Sequence, residues 1–266
     1  MLSILKKNIC ILSLLMFTNL IHISAKDDFY GDNFNVIKFE HLGEKPFVNN
    51  KDIKIIIQEE IEEAHEVAMV VKIPQELKSN RQVAILVDNN PIQLVTKIFP
   101  NKKVSSIGLN IRLEQDSLVR AAILSNEGIW NIASKRVVVN SPGGCSLPAC
   151  NPEKEICEIK KLGIISMQKY KRASGDWRLK FKINHPMDTG LVSDPQSGKM
   201  IPEYYINNVY FADKNGSLAK ANTYGALSAN PTLVIDFGNP IQNVNVKATD
   251  TRGMEFQLPN LTYNSL

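Results

Sequence analysis

Cysteine is scarce in this chain, and its scarcity limits what can hold the fold together. The 266 residues include only four cysteines, at positions 10, 145, 150 and 157. Small disulfide-stapled proteins need a much higher density of cysteine. Because 44% of the residues are hydrophobic, the chain can instead bury an apolar core, which excludes a largely disordered protein.

A strong charge imbalance and the common nucleotide-binding motifs are also missing. Lysine and arginine number 31 against 27 acidic residues, the formal net charge is +4, and no arginine-rich stripe occurs. This composition does not indicate a nucleic-acid-binding protein. The sequence contains no Walker loop, no dinucleotide-binding fingerprint and no nucleophile elbow. The enzyme classes that these motifs mark are therefore not indicated.

A long apolar run occurs only at the N-terminus. An apolar stretch over residues 9–17 follows Lys6 and Lys7, and small residues end the segment at Ala25. This pattern predicts a secretory signal peptide over residues 1–25 and a mature protein outside the cytoplasm. The alternative is an uncleaved membrane anchor, although the run is shorter than the roughly 20 residues that a spanning helix needs. No later stretch approaches this length, so we predict no membrane span after removal of the signal.

Short strands separated by turns dominate the rest of the sequence. The apolar run at residues 83–87 ends in Asp-Asn-Asn-Pro, and Asp-Lys-Asn-Gly at residues 213–216 is typical of a tight hairpin. The predicted strands cover residues 36–40, 53–57, 67–73, 82–87, 92–99, 106–113, 117–124, 129–139, 162–171, 176–184, 204–213, 217–224, 231–237, 242–248 and 254–258. Residues 58–66 are the helix candidate, but they are so short and charged that we interpret them as a loop. The fold class predicted is all-β, with β-sandwich domains over residues 26–142 and 159–266.

A segment rich in proline, glycine and cysteine separates the two blocks. Residues 141–152 read SPGGCSLPACNP, and such a composition is incompatible with the interior of a strand or helix. We assign residues 143–158 as the loop that joins the domains. Removal of the leader leaves three cysteines, an odd number, so at least one thiol has no partner within the chain. Their C-x4-C and C-x6-C spacings are not the C-x-x-C of redox or zinc motifs, and a disulfide between any two of the three is possible.

Two groups of residues are candidates for chemistry. The first contains residue types that bind metals: Glu62, Glu63, His65 and Glu66. Glu62 and His65 have the i, i+3 spacing of diiron sites, but such sites need a four-helix bundle, so we favour a solvated acidic loop. Cys145 is the stronger candidate. The glycines before it lack Cβ atoms and can act as a hinge, and small neighbours leave its thiol accessible and reactive. A copper or redox thiol protein is an alternative, since thiolates favour Cu(I).

The chain resembles a fusion of the two subunits of the SoxYZ sulfur carrier. More closely, it resembles the quinoprotein dehydrogenase-associated SoxYZ-like carrier proteins. The segments of the first half that are similar to SoxY are residues 83–91 (VAILVDNNP), 99–100, 111–113, 118–121 and the Gly-Gly-Cys of 143–145. The segments of the second half that are similar to SoxZ are residues 185–191 (HPMDTGL), 198–202, 205–206, 228–231 and 250–253.

This resemblance implies two immunoglobulin-like β-sandwiches and a periplasmic carrier that is not itself an enzyme and needs no cofactor. Cys145 would hold a sulfur intermediate covalently, Gly143 and Gly144 would form its hinge, and Cys150 and Cys157 are a possible disulfide. The implied partners are periplasmic enzymes of the sulfur-oxidation type, or a quinoprotein dehydrogenase and its cytochrome c. The alternative is a non-catalytic accessory protein of such a dehydrogenase.

The sequence departs from the SoxY pattern around the cysteine. In SoxY the carrier cysteine lies at a free C-terminal end and is followed by two glycines. Here Ser146-Leu147-Pro148 follows Cys145, and the chain continues into the second domain. The additional Cys150 and Cys157 can resolve or trap an adduct on Cys145. The acidic residues 59–66 replace a more apolar stretch of the pattern.

Overall fold

The computed structural model describes residues 33–147, 162–194 and 197–258, and the regular secondary structure of these residues is almost entirely β-strand. One α-helix, α1, covers Phe34–Leu42, and a 3-10 turn covers Gln75–Leu77. The strands run, in chain order, over Phe47–Asn49 (β1), Lys54–Ile56 (β2), Glu60–Ile61 (β3), Val67–Lys72 (β4), Gln82–Val87 (β5), Leu94–Pro100 (β6), Val104–Ile111 (β7), Ser117–Leu124 (β8), Trp130–Val139 (β9), Ile165–Lys171 (β10), Trp177–Ile183 (β11), Ile206–Asp213 (β12), Gly216–Thr223 (β13), Thr232–Phe237 (β14), Asn245–Asp250 (β15) and Glu255–Leu258 (β16). The predicted all-β class is confirmed.

The first predicted strand, residues 36–40, is wrong, because these residues belong to helix α1. The helix buries Phe34 and Ile37 in a small cluster around Trp130, which is separate from the main hydrophobic core. The Trp130 indole N–H donates to the last carbonyl of the helix, that of Leu42, at 3.0 Å. Burial against a distant aromatic side chain therefore outweighs the local strand preference of the β-branched residues.

Two sheets contain all the long strands. The larger, ten-stranded sheet has the order β1-β9-β8-β5-β6-β13-β12-β15-β16, with β3 beside β9. The six-stranded sheet has the order β10-β11-β14-β7-β4-β2. Buried residues of both sheets form one large hydrophobic cluster, as expected for two sheets packed face to face, while the cluster around Trp130 is separate from it.

Each sheet contains strands from both halves of the chain. In the larger sheet β6 pairs antiparallel with β13, and in the smaller sheet β7 pairs antiparallel with β14. The sequence predicts two sandwiches joined by a loop, and the structure adds continuous main-chain pairing between them. The loops at this junction therefore come from both halves and lie close together.

Several predictions fall outside the described residues. The signal peptide of residues 1–25 and the possible disulfide between Cys150 and Cys157 lie in the parts of the chain that the structure leaves undescribed. Within the described residues, no helix is long and apolar enough to cross a membrane.

Candidate functional site

The segment that follows strand β9 folds back against the end of strand β7. We call residues 141–147 the arm. The Gly144 N–H donates to the Leu113 carbonyl oxygen at 2.7 Å, and the Ser141 hydroxyl accepts from the Ala64 N–H at 3.2 Å. The Leu113 N–H in turn donates to the Ala64 carbonyl at 2.9 Å. The arm is therefore docked along two loops of the first half.

The carboxylate of Glu114 holds the end of the arm. Its Oε2 accepts the Cys145 N–H at 2.9 Å and the Ser146 N–H at 3.1 Å, and its Oε1 accepts the Ser146 hydroxyl. The Glu114 N–H itself donates to the side-chain oxygen of the buried Asn90 at 2.9 Å. Three donors of the arm thus converge on the Glu114 carboxylate, and the backbone of Glu114 is itself held by its hydrogen bond to Asn90.

A buried ion pair fixes the turn that carries Asn90. Arg120 donates to both oxygens of Asp88, from Nε at 2.7 Å and from Nη2 at 2.6 Å, and both side chains are almost fully buried. The Phe34 ring of helix α1 covers the guanidinium, at 4.3 Å from its carbon to the ring centroid. Bidentate pairs of this kind are geometrically specific as well as strong. Helix α1 and strand β8 therefore position the turn against which Glu114 is held.

Both glycines of the arm lie in close contact with their neighbours, with backbone at Gly144 and with a side-chain carboxyl group at Gly143. A Cβ atom at Gly144 would lie 2.2 Å from the Ala64 carbonyl oxygen, and one at Gly143 would lie 2.4 Å from the Glu114 carboxyl carbon. Neither glycine has a positive φ, so a left-handed backbone does not explain them. In the docked arm their role is to let the chain approach its neighbours, while the hinge role remains a prediction.

Cys145 is buried, and the prediction of an accessible thiol is wrong for the docked arm. The residue has 0% exposed surface and is a free cysteine. Burial, and then the negative charge of Glu114, raise the pKa of the Cys145 thiol to about 12, while Arg112 acts in the opposite direction. A thiol in this environment stays protonated at neutral pH, and the thiolate is the reactive form. The docked cysteine is therefore protected from reaction.

The second half of the chain also contacts the arm. The Thr189 hydroxyl donates to the Cys145 carbonyl oxygen at 2.8 Å. The buried Arg112 of the first half reaches the same loop of the second half, where its Nη1 donates to the Met187 carbonyl at 2.6 Å and its Nη2 to the Pro186 carbonyl at 3.2 Å. The cysteine therefore lies at the junction of the two halves.

Arg112 is a buried cation whose positive charge faces mostly carbonyl groups. Burial lowers its pKa, while Cys145 in its thiolate form and the Asp188 carboxylate act in the opposite direction. Its Nε is buried and has no hydrogen-bond partner among the described residues. Buried cations are stabilised by nearby negative charge. Arg112 therefore offsets only part of the effect of burial and of Glu114 on the Cys145 thiol, whose pKa stays raised to about 12.

His185 supports the loop that binds Arg112 and Cys145. The imidazole is fully buried, its Nδ1 accepts the Met187 N–H at 3.2 Å, and its Nε2 lies 3.7 Å from the Asp250 Oδ2. Burial lowers the pKa of His185 to about 4, with Asp250 acting in the opposite direction. Met187 has a φ of 56°, which is unusual for a residue other than glycine. The histidine is thus a neutral structural group of this turn.

Each of the three carboxylates of residues 62–66 accepts a hydrogen bond from a nearby amide group. Glu62 accepts from Asn140 and Glu66 from Asn110, while Glu63 accepts from the His65 N–H. No cluster of three or more possible metal ligands occurs in the described part of the chain. The interpretation as a solvated loop agrees with the exposed positions of the three carboxylates.

Sequence reasoning missed most of the residues that surround the cysteine. Glu114 and Thr189 lie 31 and 44 positions away from it, and His65, whose Nδ1 is 3.2 Å from the Gly144 carbonyl oxygen, lies 79 positions from that glycine. No local spacing connects these residues. The one available signal was that Glu114 and Thr189 flank or lie within segments that are similar to SoxY and SoxZ.

Two family models match the chain, one in each half. The model described as "Sulfur oxidation protein SoxY" matches residues 39–145, and the one described as "Sulphur oxidation protein SoxZ" matches residues 165–258. Among solved structures, the sulfur carrier protein SoxY from Chlorobium limicola f thiosulfatophilum is similar at 16% sequence identity, with a TM-score of 0.37 over 41% of this chain and 96% of that chain. No curated protein sequence matches the chain significantly.

Proposed function

We propose that this chain, which belongs to the SoxY and SoxZ families as a fusion of the two domains, is a sulfur-oxidation carrier that binds a sulfur intermediate covalently on Cys145. The observation that supports the site most strongly is the position of the thiol. Cys145 is a free cysteine, it is the last residue matched by the SoxY family model, and its carbonyl is bound by the SoxZ half.

The loading step requires the cysteine as a thiolate. Its sulfur attacks one sulfur of a donor S–S bond, a new S–S bond forms to Cys145, and the other donor sulfur leaves as a thiolate or sulfur anion. This exchange is balanced without an external oxidant or reductant. Because the docked thiol is protonated, the reaction proceeds when the arm leaves its docked position. Arg112 is placed to offset the negative charge of an anionic adduct when the arm returns.

The carrier has no catalytic cycle of its own in this account. Partner enzymes of the sulfur-oxidation type act in turn on the bound intermediate, and the predicted signal peptide is consistent with a periplasmic location. The chain continues on both sides of Cys145, so the arm moves as a loop, and a partner must approach the junction of the two halves. The predicted link to a quinoprotein dehydrogenase and its cytochrome c is a second proposal for the partner.

Intact-mass spectrometry with a polythionate donor, such as tetrathionate, tests the covalent role. We expect one adduct on the wild-type protein and on a variant that combines Cys150→Ser with Cys157→Ser, and none on Cys145→Ser. An adduct of unchanged yield on Cys145→Ser would contradict the proposal. An accessory protein in which Cys145 is only structural predicts that Cys145→Ser leaves partner-dependent activity intact.

A further inference from the structure

We infer that Glu114 is a positioning residue that latches the arm in its docked state and so controls when Cys145 can react. The inference rests on the proposed function, because it concerns the regulation of the same thiol. It assigns to Glu114 a role that is separate from the chemistry of the cargo.

Several hydrogen-bond donors of the arm converge on the Glu114 carboxylate. Glu114 accepts two backbone N–H groups, from Cys145 and Ser146, and the Ser146 hydroxyl. Hydrogen bonds to an ionised acceptor are stronger than those between neutral groups. A carboxylate that accepts three donors from two consecutive residues fixes both their position and their orientation.

The latch is anchored at the Glu114 backbone and is exposed at Ser146 and Leu147. The Glu114 backbone is held by Asn90, which is buried. Ser146 is exposed, and Leu147 is 43% exposed as well. Opening can therefore begin at Ser146 and Leu147, and it exposes Cys145 once the hydrogen bonds to Glu114 and the one from Thr189 to the Cys145 carbonyl are broken.

The Glu114 carboxylate also disfavours the thiolate, which is the reactive form of Cys145. Its negative charge is the second cause, after burial, of the raised pKa of Cys145. Docking therefore buries the thiol and places it near the negative charge of Glu114, and both effects oppose formation of the thiolate. A single residue thus couples the position of the arm to the reactivity of its cysteine.

The rate at which iodoacetamide alkylates Cys145 tests the latch. The background is the full chain with Cys10, Cys150 and Cys157 replaced by serine, so that only one thiol reacts. Glu114→Gln keeps the size of the side chain but removes its charge and one acceptor oxygen, and we expect a rise in rate of at least about tenfold. Ser146→Ala, which removes one donor, is expected to give a smaller rise. Glu76→Gln, at an exposed carboxylate of the 3-10 turn, is the matched control and should leave the rate unchanged.

The pH profile of alkylation separates a latch from a purely electrostatic effect. Release of the latch raises the rate at every pH, whereas a change in local charge alone shifts only the apparent pKa of the profile. Circular dichroism and thermal unfolding show whether each variant is folded. If Glu114→Gln does not fold, Ser146→Ala still tests the latch. Rates for both variants within twofold of the Glu76→Gln control would overturn the inference.

The latch and the carrier function can fail separately. A faster alkylation in Glu114→Gln with no sulfur adduct on the wild-type protein would uphold the latch and contradict the carrier. A sulfur adduct on Cys145 of the wild-type protein, together with an unchanged alkylation rate in Glu114→Gln, would uphold the carrier and contradict the latch.

Discussion

At the scale of single residues, the space around Gly144 decides where the Cys145 thiol can lie. The glycine passes so close to the Ala64 carbonyl oxygen that a Cβ atom would overlap it at 2.2 Å. The obstacle is backbone, which cannot rotate away as a side chain can. A glycine is therefore needed at this position for the arm to dock at all.

Replacing Gly144 by alanine should displace the arm and expose the thiol. We expect the alkylation rate of Cys145 to increase by at least about tenfold, because the overlap with backbone removes the docked state. Gly238→Ala is the control, since a Cβ there meets its nearest neighbour, the Lys103 Cβ, at an ordinary 3.5 Å. If Gly144 served only as a hinge, the stiffer backbone of the variant would leave the rate unchanged or lower it.

At the scale of elements, the turn that follows strand β11 connects the two halves around a neutral histidine. His185 orders this turn through Met187, whose carbonyl binds Arg112, and Thr189 of the same turn binds the arm. A charged imidazole would be costly here, because it is buried and has only Asp250 nearby as a partly compensating charge. The turn therefore depends on the protonation state of His185.

The stability of the protein should depend on pH through this histidine. Its pKa is lowered from 6.5 to about 4 in the folded protein, so the unfolded chain binds a proton first as the pH falls. The contribution of His185 to the free energy of unfolding is complete above pH 6.5 and is lost as the pH falls through 4. The loss is on the order of 2 kcal/mol, since one pKa unit corresponds to about 1.4 kcal/mol and residual screening reduces the full effect.

Urea unfolding at a series of pH values measures this dependence. His185→Gln removes the titrating group, and its stability should change less between pH 6.5 and 4 than that of the wild type. Equal slopes for the two proteins over this range would mean that His185 is not the group responsible.

Most strands could be predicted from the sequence, whereas the helix and the docking of the arm could not. Strand β5 and the turn after it follow from a β-branched run that ends in Asp-Asn-Asn-Pro. Helix α1 depends on contacts with Trp130, which no local pattern reveals. The burial of Cys145 depends likewise on Glu114 and Thr189, which are distant in sequence. The fold class is thus encoded locally, and the state of the thiol is set by tertiary contacts.

At the scale of the whole molecule, the two halves share both sheets and one core. The pairs β6–β13 and β7–β14 join them through main-chain hydrogen bonds, and the principal hydrophobic cluster contains residues of both. Separation of the halves would expose strand edges and apolar surface together. The covalent connection through residues 148–161 is therefore not what holds them together.

Cleavage of that connection should leave the protein assembled. With a protease site introduced between residues 148 and 161, we expect the two fragments to co-elute from a size-exclusion column and to unfold in a single transition. The uncleaved variant is the control. Fragments that elute separately in native buffer would show that the shared sheets do not hold the halves together.

The chemical state of Cys145 in the protein isolated from its native compartment without reductant is best measured by peptide-level mass spectrometry. This measurement locates the sulfur adduct expected from the donor experiment and reports the state of all three cysteines of the loop. We expect Cys145 to be a free thiol or to carry a sulfur adduct, with any disulfide formed between Cys150 and Cys157. A disulfide between Cys145 and either of the other two, with no adduct on Cys145, would contradict this prediction.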